Sequence, residues 1–141
     1  MMNGQLPRGI RNNNPGNLDY VGQPGARLET GVAEPRFAAF PTMGDGIRAL
    51  RDQLLRYAER GLTTVASIIS VYAPPTENAT SAYISGLCRH MGVQADTVLD
   101  LHDPATMRGL IEGITTMENG PGYLSPAQIS SALSGSNGEI T

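Results

Sequence analysis

The chain has 141 residues, with 10 basic and 13 acidic side chains and a formal net charge of −3 at pH 7. That length suits one domain with a sizeable core, and 40% hydrophobic against 16% charged residues excludes a disordered chain. The acidic balance argues against nucleic acid as the main partner, the single cysteine excludes an intrachain disulfide and a cysteine metal site, and no apolar run reaches the ~18 residues of a membrane span.

Residues 1–40 are rich in Gly, Pro and Asn and carry no helical period. The pattern predicts a loop with a small hairpin, strands 17–21 and 36–40, joined through Gly22-Gln23-Pro24-Gly25. Helices follow. Thr42 and Asp45 resemble a capping box. Ile47, Leu50, Leu54 and Tyr57 then recur at helical spacing until Gly61 ends the run. A second helix begins near Thr63 or Thr64, buries Val65, Ile68, Ile69 and Tyr72, and stops at Pro74-Pro75. Asn78 caps a third, with Tyr83, Ile84, Leu87, Cys88 and Met91 on one face and Gly92 at its end. Asp103-Pro104 is a strong start signal for a fourth, carrying Met107, Leu110, Ile111 and Ile114. Ser125-Pro126 opens a last short helix with Ile129 and Leu133. The expected architecture is α+β and mostly helical, one domain over residues 1–134 with a frayed tail over 135–141.

One carboxylate lies off pattern. At ~100° per residue, and with Met107 as the origin, Glu118 falls near 20°, within the apolar stripe, whereas Glu112 falls near 140°, on the solvated face. Burial disfavours the charged form of a carboxylate, which is what a general acid for glycoside cleavage needs near neutral pH. The turn Asn119-Gly120-Pro121-Gly122-Tyr123 follows and can leave space beside the carboxyl group. The competing reading is that the helix ends before Glu118, which then faces water.

The N-terminal stretch RGIRNNNPGNL, residues 8–18, is the second anomaly. An asparagine amide offers neutral donors and acceptors, as do sugars and N-acetyl groups. Asn12, Asn13, Asn14 and Asn17 can therefore read a saccharide, or can bond their own backbone in a sharp loop.

RGIRNNNPGNL, FAAFPTMGDGIRALRDQLLRY, VYAPPTENATSAYI and ITTMENG together resemble phage and prophage proteins related to lysozymes and lytic transglycosylases. The blocks run from Arg8 to Gly120 in the family's order. A looser similarity links Asn13–Leu18, Arg36–Phe40 and Gly44–Ile47 to bacterial cell-wall glucosaminidases. In those enzymes the catalytic glutamate precedes the hairpin, whereas Glu118 follows it, which implies a circularly permuted lysozyme-like fold. The resemblance implies a peptidoglycan glycosidase acting on the MurNAc–GlcNAc backbone, with Glu118 as catalytic acid and no cofactor. It places Arg11, Asn12, Asn13, Asn14, Asn17, Glu77, Asn78, Asn119 and Tyr123 at the glycan. Arg11 is the candidate for a muramyl lactate carboxylate, with a structural contact as its other reading. Helix capping is the other reading for Asn78. Tyr72, Tyr83 and Tyr123 can stack on sugar rings; at helical spacing Tyr72 and Tyr83 are rather expected in the core with their hydroxyls at a rim, and Tyr123 in the cleft. Glu29, Glu34, Asp45 and Glu77 are candidates for a second carboxylate, with Glu29 and Glu34 expected at the surface. His90 and His102 lack ligand spacing, so no metal is expected, and Cys88 reads as an inert core residue.

The N-terminus MMNGQLPRG has no apolar h-region. Synthesis in the cytoplasm without a signal peptide is expected, with action on the periplasmic wall after phage release, virion carriage or delivery by a secretion apparatus. Peptidoglycan is the expected partner, with no nucleic acid and no stable membrane insertion. Two alternatives stand beside the enzyme: a non-catalytic virion or wall-binding module, and a secretion-delivered periplasmic effector with the same chemistry.

Overall fold

The computed structural model describes residues 5–75 and 79–134. The described elements are α1 (Arg8–Arg11), β1 (Arg27–Leu28), β2 (Ala38–Ala39), α2 (Met43–Glu59), α3 (Val65–Tyr72), α4 (Thr80–Met91), α5 (Pro104–Asn119) and α6 (Pro126–Ser134). The chain is thus mostly helical with a small sheet. The tail 135–141 lies outside the described residues, as do Glu77 and Asn78.

The helix starts follow from local chemistry. Thr42 Oγ1 accepts from the Asp45 backbone N–H at the head of α2. Asp45 does not complete a capping box; its carboxylate accepts from the Thr42 hydroxyl and from Arg48 instead. A full capping box joins Thr64 and Ser67 at α3. Asp103 accepts from the Thr106 N–H, and Pro104 occupies the first helical position of α5. Gly92, with φ +71°, terminates α4 in the left-handed conformation that costs glycine least. The residue preceding α4 is Ala79, which gives no side-chain cap.

The core gathers around α5, which packs against α1, α2, α4 and α6. Leu110, Ile111 and Ile114 are fully buried, with Ile47, Leu50 and Leu54 of α2, Leu87 of α4 and Ile129 of α6. Each such side chain contributes about 1.5–3 kcal/mol when removed from water. Gly113 lets α4 approach closely, because a Cβ there would collide with the Leu87 side chain. The same approach corrects the expected placement of Glu112. It is not on an open face but partly covered by α4, with His90 Nε2 3.5 Å from its carboxylate.

The hairpin differs from expectation. The expected strand 36–40 reduces to β2, which pairs with β1, antiparallel, with Arg27 opposite Ala39 and Leu28 opposite Ala38. The expected strand 17–21 reduces to one antiparallel bridge, Asp19 to Phe37, flanked by backbone bonds from Ala38 N to Leu18 O and from Tyr20 N to Arg36 O. Residues 36–39 therefore carry a segment on each edge. β1 gives no sequence signal because both of its residues are exposed, so neither alternation nor an apolar run marks it.

Candidate active site

The asparagine loop is assembled from its own amides. Asn14 is fully buried. Its Nδ2 donates to the carbonyls of Leu18 and Ala38, and its Oδ1 accepts from Leu18 N, all at 2.9 Å. Asn13 Nδ2 donates to Phe40 O at 3.1 Å, and Asn12 Nδ2 to Glu29 Oε1 at 3.0 Å. Asn13 and Asn17 both have φ +51°, a conformation that asparagine tolerates better than most residues. Three of the four amides, those of Asn12, Asn13 and Asn14, thus tie the loop to the small sheet and to Glu29, the backbone-bonding role the sequence also allowed, and none of the three lines the cleft described below. A loop with no apolar packing of its own satisfies its turns with side-chain amides.

Asn17 is different. Its Nδ2 crosses from the loop to the end of α5 and donates to Glu118 Oε1 at 2.9 Å. The Tyr83 hydroxyl on α4 donates to Glu118 Oε2, also at 2.9 Å. Helix α5 continues through Glu118 to Asn119, so the carboxylate keeps the position that the helical angle predicts. It is partly buried, and each of its oxygens accepts from a neutral donor. Burial foremost, and then the negative charge of Glu118, raises the Tyr83 hydroxyl far above the usual tyrosine range, so it stays protonated and donates. Asn119 fastens the same junction: its Nδ2 donates to Pro15 O at 2.9 Å and to Thr115 O at 3.2 Å.

Glycines allow this loop to sit against the helix. A Cβ on Gly9 would lie 2.6 Å from Asn119 Oδ1 and 2.8 Å from Asn17 Oδ1. These two buried oxygens have no conventional hydrogen-bond partner; the Gly9 backbone fills the space before them. Pro15 and Gly16 bring the loop against α3, where the Tyr72 hydroxyl donates to Gly16 O.

Glu118 lines a cleft of about 740 Å³. Its walls include Asn17 and Asp19 of the loop, Arg36 and Phe37 just before β2, Tyr57 of α2 and Tyr72 of α3. The volume is of the size that ordinarily receives a small ligand. Arg36 Nε donates to Asp19 Oδ1 at 2.6 Å, and both side chains are about half exposed. Asp19, Arg36, Phe37 and Tyr57 were not recognised from sequence as cleft residues. They stand far from Glu118 along the chain, and although Arg36, Phe37 and Tyr57 fall within or at the ends of the quoted blocks, nothing in those blocks assigns them to the cleft.

Other sequence candidates fall elsewhere. Arg11 is exposed and its Nε donates to Leu6 O at 3.0 Å, which is the structural reading. Tyr123 is exposed and is not among the residues that line the cleft; its ring lies near Gly120, where a Cβ would be 4.0 Å from Cε2. Asn119 acts as the loop fastener described above and is not among the cleft-lining residues. Glu34 is exposed, and Asp45 is engaged at the α2 cap. Glu29, expected at the surface, is buried. Arg8 grips it with Nε at 2.9 Å and Nη2 at 2.5 Å, and the backbone N–H groups of Arg36 and Phe37 donate to it at 2.9 and 2.8 Å. The Arg8 guanidinium foremost, with these N–H groups, outweighs burial and drives the Glu29 carboxyl well below the usual range. Burial pushes the Cys88 thiol up, consistent with an unreactive residue. Among the described residues, no group of three or more His, Cys, Asp or Glu side chains can hold a metal ion, and no helix is long and apolar enough to cross a membrane.

No family model matches the chain. It is 36% identical over 121 residues to Protein P5 of Pseudoalteromonas phage PM2, an alignment covering 82% of this chain and 73% of that protein.

Proposed function

The chain belongs to the family of Protein P5 of Pseudoalteromonas phage PM2, and from that premise we propose that it is a lysozyme-like peptidoglycan glycosidase with Glu118 as its catalytic acid. The observation that carries this reading is the setting of Glu118. A carboxylate at the end of the central helix, held on both oxygens by neutral donors, lines a cleft large enough for a saccharide. The phage relative agrees with an enzyme that meets bacterial walls, and its name says nothing of activity.

In this mechanism the Glu118 carboxyl proton passes to the glycosidic oxygen as the C1–O bond of N-acetylmuramic acid breaks. The leaving sugar departs as an alcohol, and positive charge develops at C1 beside the new carboxylate. Glu118 then removes the proton from the muramyl 6-hydroxyl, whose oxygen bonds to C1 and closes the 1,6-anhydro ring. The proton balance is zero and Glu118 is restored. Asn17 and Tyr83 are positioning residues that fix the carboxylate in both halves of the cycle. Among the described residues, Asp19 is the other carboxylate lining the cleft, and its Oδ1 is engaged by Arg36. The route drawn here needs Glu118 alone, and the Asp19→Asn variant below separates it from a two-carboxylate muramidase. Phage lysis, virion carriage and effector delivery all accommodate the same chemistry.

The experiment is to follow anhydromuropeptide release from purified peptidoglycan by wild type, Glu118→Gln and Asp19→Asn. The proposal predicts loss of product with Glu118→Gln alone. Reducing-end products that disappear with Asp19→Asn would replace the transglycosylase route with a hydrolase. Full activity of Glu118→Gln would remove Glu118 as the acid.

A further inference from the structure

The arginine expected to meet a substrate carboxylate, Arg11, lies outside the cleft, and a different arginine lines it. We propose that Arg36, poised by the buried Glu29 anchor, is a specificity residue that binds a carboxylate carried by the glycan or by its peptide substituent. The inference rests on the glycosidase reading of the cleft and names which substrates that cleft distinguishes.

Three observations converge on this residue. First, Arg36 is the arginine among the described residues that line the Glu118 cleft. A guanidinium matches a carboxylate by paired, planar donors. Second, its backbone is fixed from below. Glu29 is buried and spends one oxygen on the N–H groups of Arg36 and Phe37, while Arg8 and Asn12 hold the same carboxylate in place. The Phe37 ring lies beneath the Arg36 guanidinium, 5.1 Å from ring centre, and the Arg8 guanidinium is 4.4 Å from that ring. The glycosidic chemistry uses none of Glu29, Arg8 or Phe37, yet together they aim Arg36 at the cleft. Third, Arg36 already binds a carboxylate there, that of Asp19, and both partners are about half exposed. Exposed ion pairs contribute little net stability, so a substrate carboxylate can exchange with Asp19 at small cost.

Two sources supply this chemistry in a peptidoglycan strand: the lactyl carboxylate where the stem peptide has been removed, and the acidic residues of the stem where it is present. Neutral N-acetylglucosamine polymers supply neither.

The test is a binding measurement on the Glu118→Gln protein, so that turnover does not enter. Affinities are measured by calorimetry for peptide-bearing strands, for peptide-free strands and for both after their carboxylates are converted to amides. Adding Arg36→Gln should weaken binding about tenfold to at least one carboxylated strand and leave binding to amidated strands unchanged. Loss on peptide-free strands assigns the lactyl group; loss on peptide-bearing strands alone assigns the stem. Adding Asp19→Asn in place of Arg36→Gln removes one carboxylate that competes for Arg36 and should tighten binding to the same strand. Equal affinity with and without Arg36→Gln, an equal loss on amidated strands, or no binding to any carboxylated strand overturns the assignment. Binding that follows this pattern in a protein whose wild type never cleaves the strands would sink the glycosidase reading and leave Arg36 as the carboxylate reader.

Discussion

Glu29 and Glu118 show how the same side chain takes opposite duties from its partners. Glu29 receives a guanidinium fork, an amide and two backbone N–H groups, which makes it an anchor. Its pKa is depressed in the folded chain, so its contribution to stability is fully present above the ordinary glutamate pKa of ~4.3 and is lost as pH falls towards the lower folded value. Arg8→Met should cost about 3 kcal/mol, at the low end for a buried pair because Arg8 is 35% exposed. It should also flatten the loss of stability between pH 7 and pH 3.5. Urea unfolding at the two pH values checks both; unchanged stability at pH 7 would mean the pair anchors nothing. Glu118 has only an amide and a phenol. Tyr83→Phe or Asn17→Ala should lower kcat by about 10- to 100-fold through misplacement of the carboxylate, with KM little changed. A fall in KM-dependent affinity with intact kcat would make these binding residues instead. The position of Glu118 was legible from helical angle alone, because α5 is long and strongly periodic. The duty of Glu29 was not: its partner Arg8 is 21 residues away and no local pattern links them.

At the scale of elements, the helices were legible because their caps are local. Thr42 and Asp103 cap where the sequence places them, and Thr64 is the cap of the two threonines the sequence offered; Asp103→Ala should lower stability by about 1 kcal/mol, read from thermal melts. The hairpin was less legible. Its strands are two residues long, and β1 exposes both side chains, so its identity depends on Glu29 and on the loop amides. The junction between loop and helix was also hidden. A Cβ on Gly46 of α2 would overlap the Asn13 carbonyl oxygen, and a backbone atom cannot yield as a side chain can. Gly46→Ala should therefore destabilise by about 3 kcal/mol or more, whereas Gly109→Ala on α5, with open space around it, should be neutral or slightly stabilising. Equal unfolding midpoints for the two variants would show that the loop does not press on α2.

Across the whole molecule, the cleft exists because the chain returns twice to its beginning. The loop at 16–19, residues 36–37, helix α3 and the end of α5 meet at one place, although 101 positions separate Asn17 from Glu118; spacing along the chain could not bring them together, and the family resemblance alone put both at one cleft. The sequence marked both ends of that contact, the asparagine run and the misplaced glutamate, without showing that Asn17 alone among the first four loop asparagines touches the carboxylate. The most direct measurement is digestion of purified peptidoglycan by wild type and Glu118→Gln, with products resolved by mass spectrometry. The account predicts anhydromuropeptides from the wild type and none from the variant. Equal product from both, or no product from the wild type where a control lysozyme cuts, would contradict it.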